Sequence, residues 1–66
     1  MIIEYLVTFI FEYNDNRETC SEIIPVKNYE KLDSYVIQEQ IIPYCKIRVR
    51  AGHKGKITII NIKKLD

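Results

Sequence analysis

Between residues 46 and 64 the chain reads KIRVRAGHKGKITIINIKK, a stretch that holds seven of its ten lysines and arginines. Lys46, Arg48 and Arg50 take alternate positions, separated by Ile47 and Val49, and Ala51 follows. On an extended backbone those three cations would share one face and span about 13–14 Å. That spacing suits contacts along a phosphate backbone. Two of the three are arginines, whose planar fork matches phosphate or carboxylate bidentately. The same charges are also what an edge strand carries to deter sheet-to-sheet aggregation. Lys54 and His53 sit next to the run, and Tyr44 precedes it. Tyr44, Lys46, Arg48, Arg50, His53 and Lys54 are therefore the candidate partner-binding residues.

Gly52-His53-Lys54-Gly55 spells GxxG with a basic insert. In KH domains such a loop clamps a nucleic-acid backbone, but it joins two helices, whereas strand patterns flank it here. A phosphate-binding P-loop is excluded as well, because Ile57 follows Gly55-Lys56 where Ser or Thr is required. The expectation is a four-residue hairpin loop whose glycines supply positive φ.

Catalytic chemistry finds little support. His53 is the single histidine, with no nucleophile or orienting carboxylate placed against it by any recognisable spacing. Cys20 and Cys45 with one histidine fall short of the four ligands of a structural zinc site. They read as inert, partly buried thiols. No enzyme activity, metal or cofactor is expected. The opening run MIIEYLVTFIF lacks the basic start and small-residue cleavage site of a secretory signal. It is also too short to span a bilayer as a helix, so a cytoplasmic location with free thiols is expected.

The elements that must position these residues follow from periodicity. Ile2 to Tyr13 alternates as a strand, with Ile3, Tyr5, Val7, Phe9 and Phe11 on one side. Its second side holds Ile2, Leu6 and Ile10 besides Glu4, Thr8 and Glu12, so it belongs inside a sheet or under a further cover, such as a second copy of the chain. Asn14-Asp15-Asn16 is a turn cluster closing a hairpin onto a weaker strand, Arg17 to Val26, which Pro25 assigns to a sheet edge. Asn28 is a candidate N-cap, with Glu30 in the first turn. The helix then runs through an apolar stripe of Tyr29, Leu32, Val36 and Ile37 and is expected to stop before Pro43. Tyr5 and Tyr29 are assigned to the core, and Tyr13, Tyr35 and Tyr44 to an exposed interface set.

Lys46 to Ala51 would then form a third strand and Lys56 to Lys63 a fourth. The fourth is apolar on both sides, with Ile57 and Ile59 against Ile60 and Ile62, and so is expected to lie centrally. The resulting fold class is α+β: ββαββ, a four-stranded antiparallel sheet with one helix packed on one face. Sixty-six residues make a single small domain, 1–66, that buries only about 60% of its unfolded surface.

Charge is divided along the chain. Residues 1–45 hold three basic and eight acidic residues, a net −5; residues 46–66 hold seven and one, a net +6. Such polarity marks an acidic-partner or nucleic-acid surface, or two halves that neutralise each other. The overall balance of +1 is low for a dedicated nucleic-acid binder. The leading expectation is a non-enzymatic, homodimeric protein–protein interaction module with charged edge strands. Composition rich in Ile, Lys, Asn and Tyr associates it with phage or mobile-element regulators and inhibitors. The alternative is a nucleic-acid-binding protein using the basic hairpin Lys46–Lys64. No membrane partner is expected.

Overall fold

The computed structural model describes residues 2–27, 32–49 and 54–65. Strand β1 (Ile2–Tyr13) turns through Asn14 and Asp15 into β2 (Asn16–Lys27). Asn14 and Asp15 take φ of 49° and 65°, the paired left-handed conformations of a two-residue hairpin turn that Asn and Asp tolerate. The β1–β2 ladder is unbroken from Ile2 opposite Lys27 to Tyr13 opposite Asn16. After a helical arm the chain returns as β3 (Lys56–Lys64), antiparallel to the other side of β1. The sheet is three-stranded with order β2-β1-β3. It is α+β with a helix on one face, as expected, but among the described residues the sheet has three antiparallel strands and not four.

Lys46 to Arg48, expected to begin a third strand, are helical instead. The arm comprises α1 (Ser34–Val36), a π-helical stretch (Ile37–Ile41) and α2 (Ile42–Arg48). Asp33 caps its start, accepting from the Val36 N–H at 2.9 Å. The expected cap Asn28, with Tyr29, Glu30 and Lys31, lies outside the described residues. Pro43 does not stop the helix. Proline lacks an N–H, and its ring would press on the carbonyl four residues back in a regular α-helix. Here the preceding turn widens, with the Ile42 N–H bonding to the Ile37 carbonyl, and a π turn of this kind takes up the mismatch. The chain then continues through Arg48, and the Val49 N–H closes on the Cys45 carbonyl at 3.1 Å. Lys46 and Arg48 are consequently helical, and the alternation that suggested a strand is not expressed as one.

The expected central position of the last strand is also overturned, since β3 borders only β1 among the described residues. Its two-sided apolarity has a local cause. Phe9 faces Ile59 while Thr8 faces Asn61, so Ile60 is an extra residue in a β-bulge. Ile57, Ile59 and Ile62 thereby all lie on the side of Phe11, Phe9 and Val7, and the bulged Ile60 is left 53% exposed. β2 lies at an edge, as Pro25 implied.

The core lies between the helical arm and one side of the sheet. Tyr5, Val7 and Phe9 of β1, Ile24 and Val26 of β2, and Val36, Ile41 and Cys45 of the arm are buried. Ile3, Phe11, Leu32, Ile37, Ile57, Ile59 and Ile62 pack around them. Gln40 fastens the arm to the end of β2: its side-chain oxygen accepts from the Lys27 N–H at 2.9 Å, and its amide donates to the Lys27 carbonyl at 3.1 Å. Gly55 enters β3 at φ +95°, where a Cβ would stand 2.5 Å from the Phe11 ring and 2.8 Å from the Glu12 carbonyl. Only glycine fits that approach.

Candidate functional site

The candidates named from sequence do not form one cationic face. Tyr44, Lys46 and Arg48 stand on α2, where 100° per residue turns Lys46 and Arg48 to different sides. Tyr44 and Arg48, four apart, do meet. Arg48 Nη2 donates to the Tyr44 hydroxyl at 2.9 Å, and the guanidinium carbon lies 5.2 Å from the Tyr44 ring centroid. The same side chain reaches the sheet, with Nε 3.5 Å from Glu22 Oε1. Arg48 is thus a clasp between α2 and β2. Lys54 is exposed on the bend before β3. Arg50 and His53 lie outside the described residues, as do Ala51 and Gly52.

Sequence reasoning nominated Lys54 but counted Lys56, Lys63 and Lys64 in the basic hairpin without naming them as contact residues. Lys56, Lys63 and Lys64 of β3 are all exposed, and Lys54 is just ahead of them. Lysine is the only charged residue type on β3. The signal was present in the sequence, but a strand read as internal offered no edge to place it on. β2, the opposite edge, mixes Arg17, Glu18, Glu22 and Lys27.

The sheet side away from the helical arm carries Leu6, Thr8 and Ile10 of β1. Beside them lie Ile23, Ser21 and Thr19 of β2, and Lys63, Asn61 and Thr58 of β3. Ile23 is 51% exposed, and Ile2, further along the same side, 59%. Thr8 Oγ1 and Ser21 Oγ share a hydrogen bond at 3.3 Å. Of the tyrosines expected at a surface, Tyr13 and Tyr35 are exposed and Tyr44 is half-buried. Tyr13 stacks on Phe11, with centroids 6.4 Å apart, beside an open cleft of about 670 Å³ at the hairpin tip. That cleft mixes Glu12 and Asp15 with Arg17 and Lys56, so it favours neither charge.

Cys45 is buried, and that burial, with Glu22 and then Cys20 adding to it, pushes its thiol up to about 11. Cys20 is also raised, by burial first and then by Glu18 and Glu22. Both thiols are held protonated at neutral pH, the opposite of what nucleophilic cysteine chemistry needs. Among the described residues, no three His, Cys, Asp or Glu side chains gather as a metal site. No helix there is long and apolar enough to cross a membrane. No protein-family model matches the chain, and neither a curated protein nor a solved structure matches it.

Proposed function

We propose that the protein is a non-enzymatic protein-binding module, a small regulator or inhibitor that presents the β3 edge to an acidic partner. The observation that carries this reading is the single sign of that edge. β3 has β1 on one side only among the described residues, and Lys54, Lys56, Lys63 and Lys64 line it. An unpaired edge offers backbone donors and acceptors to an added strand, and lysines admit acidic chains while repelling a copy of the same edge. The raised thiols of Cys20 and Cys45 support a non-enzymatic role, and the engagement of Arg48 by Tyr44 and Glu22 leaves the lysines of β3 as the candidate contact.

Pull-down from cell extract with the wild-type chain and a Lys54→Glu/Lys64→Glu variant tests the reading. Lys64 pairs with Tyr5 and so lies on the helix-covered side, clear of the opposite face. The expected result is a protein partner that survives nuclease treatment and is lost in the variant. The same lysines favour nucleic acid as the second reading. Retention that vanishes with nuclease, and that weakens steeply as salt rises, would replace the first reading with the second.

A further inference from the structure

We infer that the sheet face opposite the helical arm is the contact surface of a homodimer, two copies packing these faces together as a β-sandwich. The three strands are twelve, twelve and nine residues long. At their usual rise and about 4.8 Å spacing they present roughly 500 Å² of face. Two such faces bury about 1,000 Å², the lower bound for a specific interface.

The composition of the face agrees with its size. Its middle rows are Leu6 with Ile23, Thr8 with Ser21 and Asn61, and Ile10 with Thr19 and Thr58. Lys63 completes the Leu6 row from the edge strand, where its long stem lets the ammonium reach the rim. The remaining charges stand toward the two ends: Glu4 and Lys27 at one, Glu12, Arg17 and Lys56 at the other. A charge-poor centre with a polar rim is how protein interfaces are built. Thr8 Oγ1 and Ser21 Oγ already share one hydrogen bond at 3.3 Å, and the Thr19, Thr58 and Asn61 side chains would pair across the contact. Aligned sheets pack about 10 Å apart and interdigitate alternate side chains. Leu6, Ile10 and Ile23, separated by Thr8, Ser21 and Thr19, supply that alternation.

The described core lies on one side of the sheet only, and a second copy, whose identical face has the same area and the same charge-poor centre, is the occupant that fits the other side. This inference does not rest on the β3 edge: Lys56 and Lys63 stand at the rim of the contact, while Lys64 and the unpaired backbone of β3 would stay open at the side of the sandwich.

Sedimentation equilibrium and light scattering across micromolar to millimolar concentration test it on the full chain. The wild type is expected at twice its 7.9 kDa mass. Ile23→Lys places a charge on the face at an already half-exposed position and is expected to weaken the dimer about 100-fold or more. Thr58→Arg, on the exposed edge strand, guards against a folding artefact and is expected to weaken it at least about tenfold. Both variants should keep the wild-type far-UV circular dichroism. A 7.9 kDa monomer throughout, or a dimer indifferent to both substitutions, would overturn the proposal. So would a dimer broken only by Lys54→Glu/Lys64→Glu, which would place the contact at the edge. Adsorption of a monomer to neutral phosphatidylcholine vesicles through this face would also overturn it.

Discussion

β1 and β3 carry the same signature in sequence, apolar residues on both sides of an extended run, yet the fold uses them differently. β1 has a neighbour on each side and a ladder to β2 without interruption. Its alternation is literal: Tyr5, Val7 and Phe9 point under the helical arm, and Leu6 and Ile10 point away. β3 is an edge whose apparent second apolar face is one residue, Ile60, thrown out by a bulge. Two-sided apolarity therefore has two physical origins. A strand can be covered on both faces, or it can slip by one residue midway so that isoleucines of both parities reach one face.

Single-residue deletion gives the largest expected separation between the two strands. Removing Thr8 shifts half of β1 against both neighbours and turns the core residues of that half to the wrong side. We expect loss of the cooperative unfolding transition, since the total stability of a domain this size is only several kcal/mol. Removing Ile60 restores strict alternation, joining Ile59 directly to Asn61 while both keep their partners Phe9 and Thr8. That deletion is expected to change stability by no more than about 1 kcal/mol, or about 4–8 °C in melting temperature. Denaturation followed by circular dichroism distinguishes them. Equal damage from both would mean the bulge is not a tolerated insertion.

A second contrast lies between the two faces of β1. Against the covered face packs Cys45 of α2, whose thiol is raised from 9.0 to about 11. The unfolded chain then loses that proton before the folded one does, so stability is full below about pH 9 and falls as pH rises towards about 11. The loss assigned to this thiol is about 2–3 kcal/mol. Urea unfolding at pH 8 and pH 11 should show a smaller decline in Cys45→Ala than in wild type. An unchanged decline would mean the thiol is not screened from solvent by the arm.

The smallest effect belongs to the clasp that ties the arm to β2. Arg48 and Glu22 side chains are 52% and 36% exposed at 3.5 Å, a geometry that contributes about 0–1 kcal/mol. Arg48→Ala should therefore shift the urea midpoint slightly, without unfolding the chain. A large shift would make the Tyr44–Arg48–Glu22 set a structural centre.

Much of the β1–β2 half was legible because its information is local. Asn14 and Asp15 are residues that accept positive φ, and the strict alternation on either side of them left one register in which Tyr5, Val7 and Phe9 face inward together. The edge position of β2 followed from Pro25, and the packing of Val36 and Ile37 on the core from their helical spacing; Leu32 also packs there, but it precedes the Asp33 cap, so the helix starts later than the spacing implied. The basic stretch was less legible. Lys46, Arg48 and Arg50 alternate as they would on a strand, and Pro43 argues that no helix should reach them. Of the four nominated residues that are described, Tyr44 and Arg48 are in direct contact.

What the sequence determined by itself was the hairpin, the inward face of β1 and the one-sided helix, because each rests on neighbours a few residues apart. The fate of residues 42–48 and the position of β3 were decided by tertiary structure. A π turn let the helix pass Pro43, carrying Cys45 into a core already formed by Phe9 and Ile24. A bulge let β3 place Ile57, Ile59 and Ile62 on that same core. Burial against the sheet outweighed a local proline preference of a few kcal/mol, and that competition is between residues far apart in the chain.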